Sequence, residues 1–256
     1  MPRAALRALA AAVAASALAA LAVGSAGGAM IAIDNLILRA DGGFEPRKLP
    51  RRAYAPIEFR GFVSVASKDG TRPAPLRRAV IDFDRDGRLS VAGLPVCRPE
   101  RVATASTAEA RAACRGAIVG TGRVEARVSL GERVLPARSP LTVFNGPRIG
   151  GRPSVVLHAR TTVPATQTYA IPVPIQARGG AFRHRVVIEV PPIAAGLGSL
   201  TRIEARIGRR WRAGGRARSY VWARCSDGIL ETHGRFEFED GMIVDGAVEK
   251  ACTQAR

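Results

Sequence analysis

RCSDGILETHGRFEFEDGMIVDGAVEKAC, Arg224 to Cys252, holds three Asp-Gly pairs, at Asp227, Asp240 and Asp245, separated by short apolar runs. Gly accepts positive φ and Asp hydrogen-bonds its own backbone, so the pair suits a tight hairpin turn. The stretch predicts strand, turn, strand, turn, strand, closed by a bridge between Cys225 and Cys252.

The same punctuation runs through the chain. Six of the nine Asp residues precede Gly: Asp41, Asp69, Asp86, Asp227, Asp240 and Asp245. Between them lie runs of strand character. IEFRGFVSVAS (Ile57 to Ser67) alternates in its second half. GRVEARVSL puts Val124, Ala126 and Val128 on one face and Arg123, Glu125 and Arg127 on the other. SVVLHAR, YAIPVPIQAR, RVVIEV and LTRIEARIGR read as further strands. Pro172 and Pro174 donate no ladder hydrogen bond and mark an edge strand. VGTGRV (Val119 to Val124) lacks the third Gly of a dinucleotide loop and reads as a turn between strands. One helix is expected: Ser106 and Glu109 form a capping box, good helix formers follow, and Gly116 stops the run. The fold class is therefore all-β, an antiparallel β-sandwich with one short helix. GGFEPRKLPRRAYAP (Gly42 to Pro56) reads as a surface crossing, and a soft boundary falls near residues 145–154, where Gly and Pro cluster.

The amino terminus has the order of a secretory signal peptide. Arg3 and Arg7 precede an uncharged run from Ala8 to Val23, and small residues follow to Ala29. Residues 1–29 are expected to be removed after Ala26 or Ala29, leaving 30–256 as a single β-sandwich-like domain. Retained, the segment would be the only route to a membrane. In an exported chain Cys97, Cys114, Cys225 and Cys252 predict two bridges. Three pairings exist; the local ones, Cys97–Cys114 and Cys225–Cys252, are preferred because each closes a short loop.

The full chain carries 39 basic and 21 acidic residues, a net +18; without Arg3 and Arg7 this is 37 less 21, or +16. Outside the cell such charge meets wall polymers, acidic polysaccharides and anionic lipid heads, and nucleic acid is not the expected partner. The excess is almost all Arg beside abundant Ala, a composition that a GC-rich genome also writes without functional cause.

Two stretches invite a site. IDFDRDGRLSVAG, Ile81 to Gly93, opens like an EF-hand loop, with Asp82, Asp84 and Asp86 at positions 1, 3 and 5 and Gly87 at 6. Position 12 is Gly93, so the bidentate Glu is missing, and the flanks alternate like a strand. The expectation is a structural turn, with a weak calcium site as the alternative and no other cofactor. Asp82 and Asp84 share a face and need neutralising, for which Arg77, Arg78, Arg85 or Arg88 stand near in sequence. RIGRRWRAGGRARSYVWAR, Arg206 to Arg224, holds both tryptophans among arginines. Period two puts Arg218, Tyr220, Trp222 and Arg224 on one face. With Arg209 and Trp211 they make a candidate ligand-binding surface for a ring and an anion, or they pack into the core.

Local signatures of catalysis are missing. His158, His184 and His233 are isolated, and there is no Gly-x-Ser-x-Gly elbow and no phosphate-binding Gly-x-x-x-x-Gly-Lys loop. Glu237 and Glu239 alternate on a strand and read as solvent-facing.

DFDRDGRL, GLPVC, ARAACRGAIVGTG, PLTVFNG and the carboxyl-terminal RCSDGILETHGRFEFEDG together resemble a group of exported, β-rich, uncharacterised proteins of high-GC Gram-positive bacteria. The resemblance covers the chain from about Ile57 onward. It implies secretion and disulfides and carries over no activity and no catalytic residue. Two expectations remain. The first, which the sequence favours, is a secreted, non-catalytic, envelope-associated protein binding an anionic polymer or glycan through a continuous Arg-rich patch. The second is a secreted hydrolase acting on a polymer, in which distant histidines and acids converge.

Overall fold

A computed structural model describes residues 28–255, so nearly all of the expected leader lies outside the described residues. Twelve strands build one antiparallel sheet: β1 (Ala29–Ile33), β2 (Leu36–Glu45), β3 (Glu58–Ser67), β4 (Leu76–Asp84), β5 (Ile118–Leu130), β6 (Arg133–Asn145), β7 (Ser154–Thr161), β8 (Gln167–Ala177), β9 (Phe182–Glu189), β10 (Gly198–Ile207), β11 (Ile229–Phe238) and β12 (Ile243–Ala251). Their order across the sheet is β1-β2-β3-β10-β5-β6-β7-β8-β9-β4-β11-β12. The sheet curls until its ends approach: Lys250 Nζ of β12 stands 2.6 Å from Asp41 Oδ1 of β2. Gly246 of β12 lies against β1, where a Cβ would come within 2.8 Å of Ile31 Cδ1. The expected all-β sandwich is thus a nearly closed single sheet whose opposite halves pack on each other. Among the described residues no helix is long and apolar enough to cross a membrane.

Alternation along the strands fills the interior. Leu36 and Leu38 of β2 and Val65 of β3 meet Leu76 and Ala79 of β4, Phe236 and Phe238 of β11 and Val244 of β12. Val119, Leu141, Val143, Val155, Val173 and Ile175 form a second cluster with Leu94 and Tyr220 from the connections. Each fully buried Val or Leu contributes about 1.5–3 kcal/mol against exposure.

Both disulfides pair as preferred: Cys97–Cys114 with Cα atoms 5.5 Å apart and Cys225–Cys252 with 6.0 Å. Among the described residues there is one α-helix, α1 (Thr107–Ala113); it starts at Ser106, whose hydroxyl accepts from the Glu109 amide while the Glu109 carboxylate accepts from the Ser106 amide. Cys114 caps its end. The bridge to Cys97 holds α1 on the outer face of β6 and β7, against Phe144 and Val156. The second bridge closes a smaller cluster with Phe44, Leu49, Ile57 and Ala223.

Of the expected turns, four Asp-Gly pairs turn the chain and three stretches are strand instead. Asp69-Gly70, Asp227-Gly228 and Asp240-Gly241 bend the chain with Gly at positive φ, and Asp86-Gly87 turns without it. Asp41-Gly42 and Asp245-Gly246 run inside β2 and β12, so the closing stretch has two strands of the main sheet, not three. VGTGRV is also strand, the middle of β5. A Cβ on Gly122 would strike the Glu204 carbonyl and one on Gly120 would lie 2.6 Å from the Arg206 carbonyl, so these glycines let β10 lie close, rather than bend the chain. The Gly- and Pro-rich stretch after Phe144 joins neighbouring strands β6 and β7 within the one sheet. Pro172 and Pro174 pair with β7, and β9 joins β8 only from Ile175 to Ala177. The Ile175 amide donates to the Pro153 carbonyl beside β7, so the missing donors at 172 and 174 fall on the flank that carries no neighbour there.

Candidate functional site

The outer faces of β2, β3, β10, β5 and β6, with α1 at one side, form a concave trough enclosing about 950 Å³. Arg47, Arg60, Arg111, Arg123, Arg138, Arg206 and Lys250 line it, against the acids Asp41 and Glu204. Ladder pairing creates this concentration. Arg206 stands opposite Arg60, Glu204 opposite Phe62 and Arg123, and Glu125 opposite Arg202 and Arg138.

The acids are occupied. Arg123 Nη2 lies 2.7 Å from Glu204 Oε1, and Arg202 donates to Glu204 Oε2 from Nε and Nη2, both at 3.1 Å. Partial burial pushes the Glu204 carboxyl up, but these guanidiniums outweigh it and hold it below its ordinary range. Asp41 behaves alike: desolvation raises it, and the Lys250 ammonium with the Gly42 amide brings it below the usual value. Arg202 also lies 4.2 Å from the centroid of Phe62. Arg47, Arg60, Arg138 and Arg206 are held loosely. Arg60 is 4.0 Å from Glu45, Arg138 is 3.9 Å from Glu125, and the side chain of Arg138 is 74% exposed. Such contacts contribute about 0–1 kcal/mol each, so they leave the guanidiniums free to take another anion.

The aromatic stretch is dispersed. Its hairpin, Arg210–Ala213 with Arg216–Ser219, pairs Trp211 with Arg218. Trp211 Nε1 donates to the Ala92 carbonyl at 3.3 Å, and Arg209 Nη1 donates to the carbonyls of Arg115 and Ile118. Tyr220 interrupts the strand and turns inward. Its ring is buried, burial pushes the phenol above its ordinary pKa, and the hydroxyl has no hydrogen-bond partner. Arg218 Nε is likewise buried without one. Trp222 pairs with Pro56 and Arg88 and donates to the Ser219 carbonyl at 2.7 Å. Arg224 is paired with Asp86. The six therefore do not make one face, and of that basic stretch it is Arg206 that reaches the trough.

The three aspartates have separate partners. Asp82 receives Arg185 Nε at 2.7 Å and Nη2 at 2.6 Å, and that hydrogen bonding holds its carboxyl below the usual range. The neutralising cation comes from β9, the strand paired with β4, and not from the arginines nearest in sequence. Asp84 accepts the amides of Asp86 and Glu231, yet desolvation, aided by Asp86 and Asp227, pushes it above the usual range. Asp86 is fully buried. Burial raises it, but Ser226 and Arg224, both donating at 2.7 Å, bring it below the ordinary value. Among the described residues no group of three His, Cys, Asp or Glu is arranged to hold a metal ion.

The histidines do not converge: His184 and His233 flank β4 but pair with its successive residues Phe83 and Asp82 and so face opposite sides of the sheet, and His158 lies away from both in β7. His158 is buried beneath α1, its Nε2 3.2 Å from the Ala105 carbonyl. His184 sits in β9, and burial, with Arg183 beside it, lowers its imidazole to about 4. His233 pairs across the ladder with Asp82, whose carboxylate is already taken by Arg185. None of the three lines the trough.

Sequence reasoning missed the trough. Of the alternating Arg123, Glu125 and Arg127 only Arg123 lines it, and the neighbours that complete it come from strands far away in the chain. Comparison with protein-family models, with curated proteins and with solved structures found no match.

Proposed function

We propose that this is an exported, non-catalytic protein that holds an anionic polymer or glycan of the cell envelope in the trough. The observation that carries the reading is the lining: seven cationic side chains against two acids, in one concavity on the outer face of a stiff sheet. Guanidinium groups grip oxyanions through fixed donor forks and do not titrate, so the surface keeps its charge at any physiological pH. Two disulfides fit an oxidising compartment outside the cytoplasm. Removal of a leader after Ala26 would leave β1 whole, whereas removal after Ala29 would take its first residue, which pairs with Ala40. On this reading the aspartates at 82, 84 and 86 organise a turn and its ion pairs, and the protein works without calcium.

The test is sedimentation of the mature protein with envelope fractions across a salt series. The wild type should bind and be released as salt rises, because the attraction is screened. The variant Arg47→Gln/Arg60→Gln/Arg206→Gln should lose at least tenfold in affinity. A control of equal charge change, Arg133→Gln/Arg212→Gln/Arg216→Gln, on exposed positions outside the trough, should bind like the wild type. Equal loss in both variants would show that only net charge matters and would remove the trough from the account.

A further inference from the structure

One line across the trough carries no carboxylate. Gly43 of β2 stands opposite Arg60 of β3, Arg60 opposite Arg206 of β10, Arg206 opposite Thr121 of β5, and Thr121 opposite Thr142 of β6. Arg47 leans over Gly43, where a Cβ would lie 3.6 Å from both Arg47 Nη2 and Arg60 Nε. At the other end Arg111 of α1 donates from Nε to the Thr142 hydroxyl at 2.9 Å and so stands over the end of the trough. With strands about 4.8 Å apart, the line is about 19 Å long.

Two features of this line are unexplained by the fold. Like charges directly opposite on a ladder repel and destabilise the pair. Arg60 and Arg206 are so placed, and their acids are distant or exposed: Glu45 at 4.0 Å and Glu58 at 3.3 Å, with both arginines more than half exposed. The second is the use of the ring. Phe62 is the aromatic residue in the trough, and Arg202 already stacks on one face of it at 4.2 Å, so that face is taken by a cation and not offered to a sugar. The surface reads charge and not ring shape. A planar carboxylate is satisfied by one guanidinium fork, whereas the divergent oxygens of a tetrahedral oxyanion accept from donors on two neighbouring strands at once.

We infer that the trough takes a linear polymer whose backbone carries phosphate or sulfate esters, laid across the strands along the line Arg47, Arg60, Arg206 and Arg111. This rests on the trough being the binding surface, and it adds the class of anion and the direction of the chain. The bound oxyanions relieve the Arg60–Arg206 repulsion, which is why the pair is tolerated there.

Length-matched inorganic polyphosphate, dextran sulfate and polygalacturonate, titrated at several salt concentrations, test it. Polyphosphate and dextran sulfate should each bind at least tenfold more tightly than polygalacturonate, and a preference between those two distinguishes phosphate from sulfate. Arg60→Gln/Arg206→Gln should lose at least tenfold on the preferred polymers, and the slope of log affinity against log salt should fall by about two. Arg212→Gln/Arg216→Gln should change neither, and matching thermal transitions confirm that the variants are folded. Equal binding of polygalacturonate overturns the inference while leaving the trough as the site, and full affinity in the Arg60/Arg206 variant overturns the line and counts against the trough as well. No binding of any polyanion by the wild type overturns both.

Discussion

Tyr220 shows what a single residue can be when its neighbours are known. In sequence it stands among arginines and suits a ligand face equally well. In the fold its ring completes the cluster of Val119, Leu141, Val143 and Val173, and its hydroxyl is carried into that apolar setting without a partner. A buried hydroxyl with no hydrogen bond costs about 1–3 kcal/mol of desolvation, and replacing it by hydrogen keeps the shape. Tyr220→Phe should therefore unfold at the same or higher urea concentration, with a gain of up to about 1–2 kcal/mol, and should bind polyanions unchanged. A loss above 1 kcal/mol would mean that the hydroxyl has a partner. The ambiguity was real at the sequence level because alternation assigns a residue to a face without saying which face is wet. Asp82 and Asp84 had the same difficulty: the sequence showed two charges needing company, and only the pairing of β4 with β9 supplied Arg185.

At the scale of the element, α1 was legible because its instructions are local. A hydroxyl, a carboxylate three residues on, and a cysteine at the end are all within nine residues, Ser106 to Cys114, and they act within that span. The Asp-Gly pairs at 41–42 and 245–246 run as strand because a long ladder on one side, with β3 and with β11, overrides the turn signal, and because the chain passes a neighbour closely, as Gly246 passes Ile31. The trough was illegible for a related reason: Arg60, Thr121 and Arg206 meet through ladders that join distant parts of the chain. The bridge that pins α1 also positions Arg111 over that line. Cys97→Ser/Cys114→Ser should lose about 3 kcal/mol of stability on the chain-entropy account. It should also weaken polyanion binding a few-fold at temperatures where the sheet is still folded, while Cys225→Ser/Cys252→Ser should lose comparable stability and leave the affinity in place. Loss of affinity in the second pair and not the first would reverse the assignment.

For the whole molecule, protons and folding are linked mainly through groups whose folded pKa values are depressed. His184 is lowered to about 4 from an unfolded value of about 6.5. Between those values the unfolded chain binds the proton more strongly, so stability falls as pH drops from about 6.5 towards 4. Asp82 and Asp86 lie below their ordinary values, so what they contribute is complete above about pH 4 and is lost as pH falls through their folded values. Asp84 has the opposite sign, since its carboxyl is raised and acid relieves it. The sum is a protein whose melting temperature should decline between pH 7 and pH 4.5, and His184→Gln should flatten that decline. An unchanged slope in the variant would show that His184 is not the group responsible.

The approach of β1 to β12 without a shared ladder leaves this shell with a slit along one side. Every other strand of the sheet is bonded on both flanks over at least part of its length, so the lips of the slit are where the wall is thinnest. The lips are unequal. The downstream one ends at Ala251, beside the cystine formed by Cys252 and Cys225, and cannot peel far. The upstream one, five residues long, is held by β2 on one side and by a few side chains on the other. Unravelling is thereby given a direction: it starts at β1 and next reaches β2, the strand that carries the Asp41 side of the trough, so the binding wall borders the part that opens first.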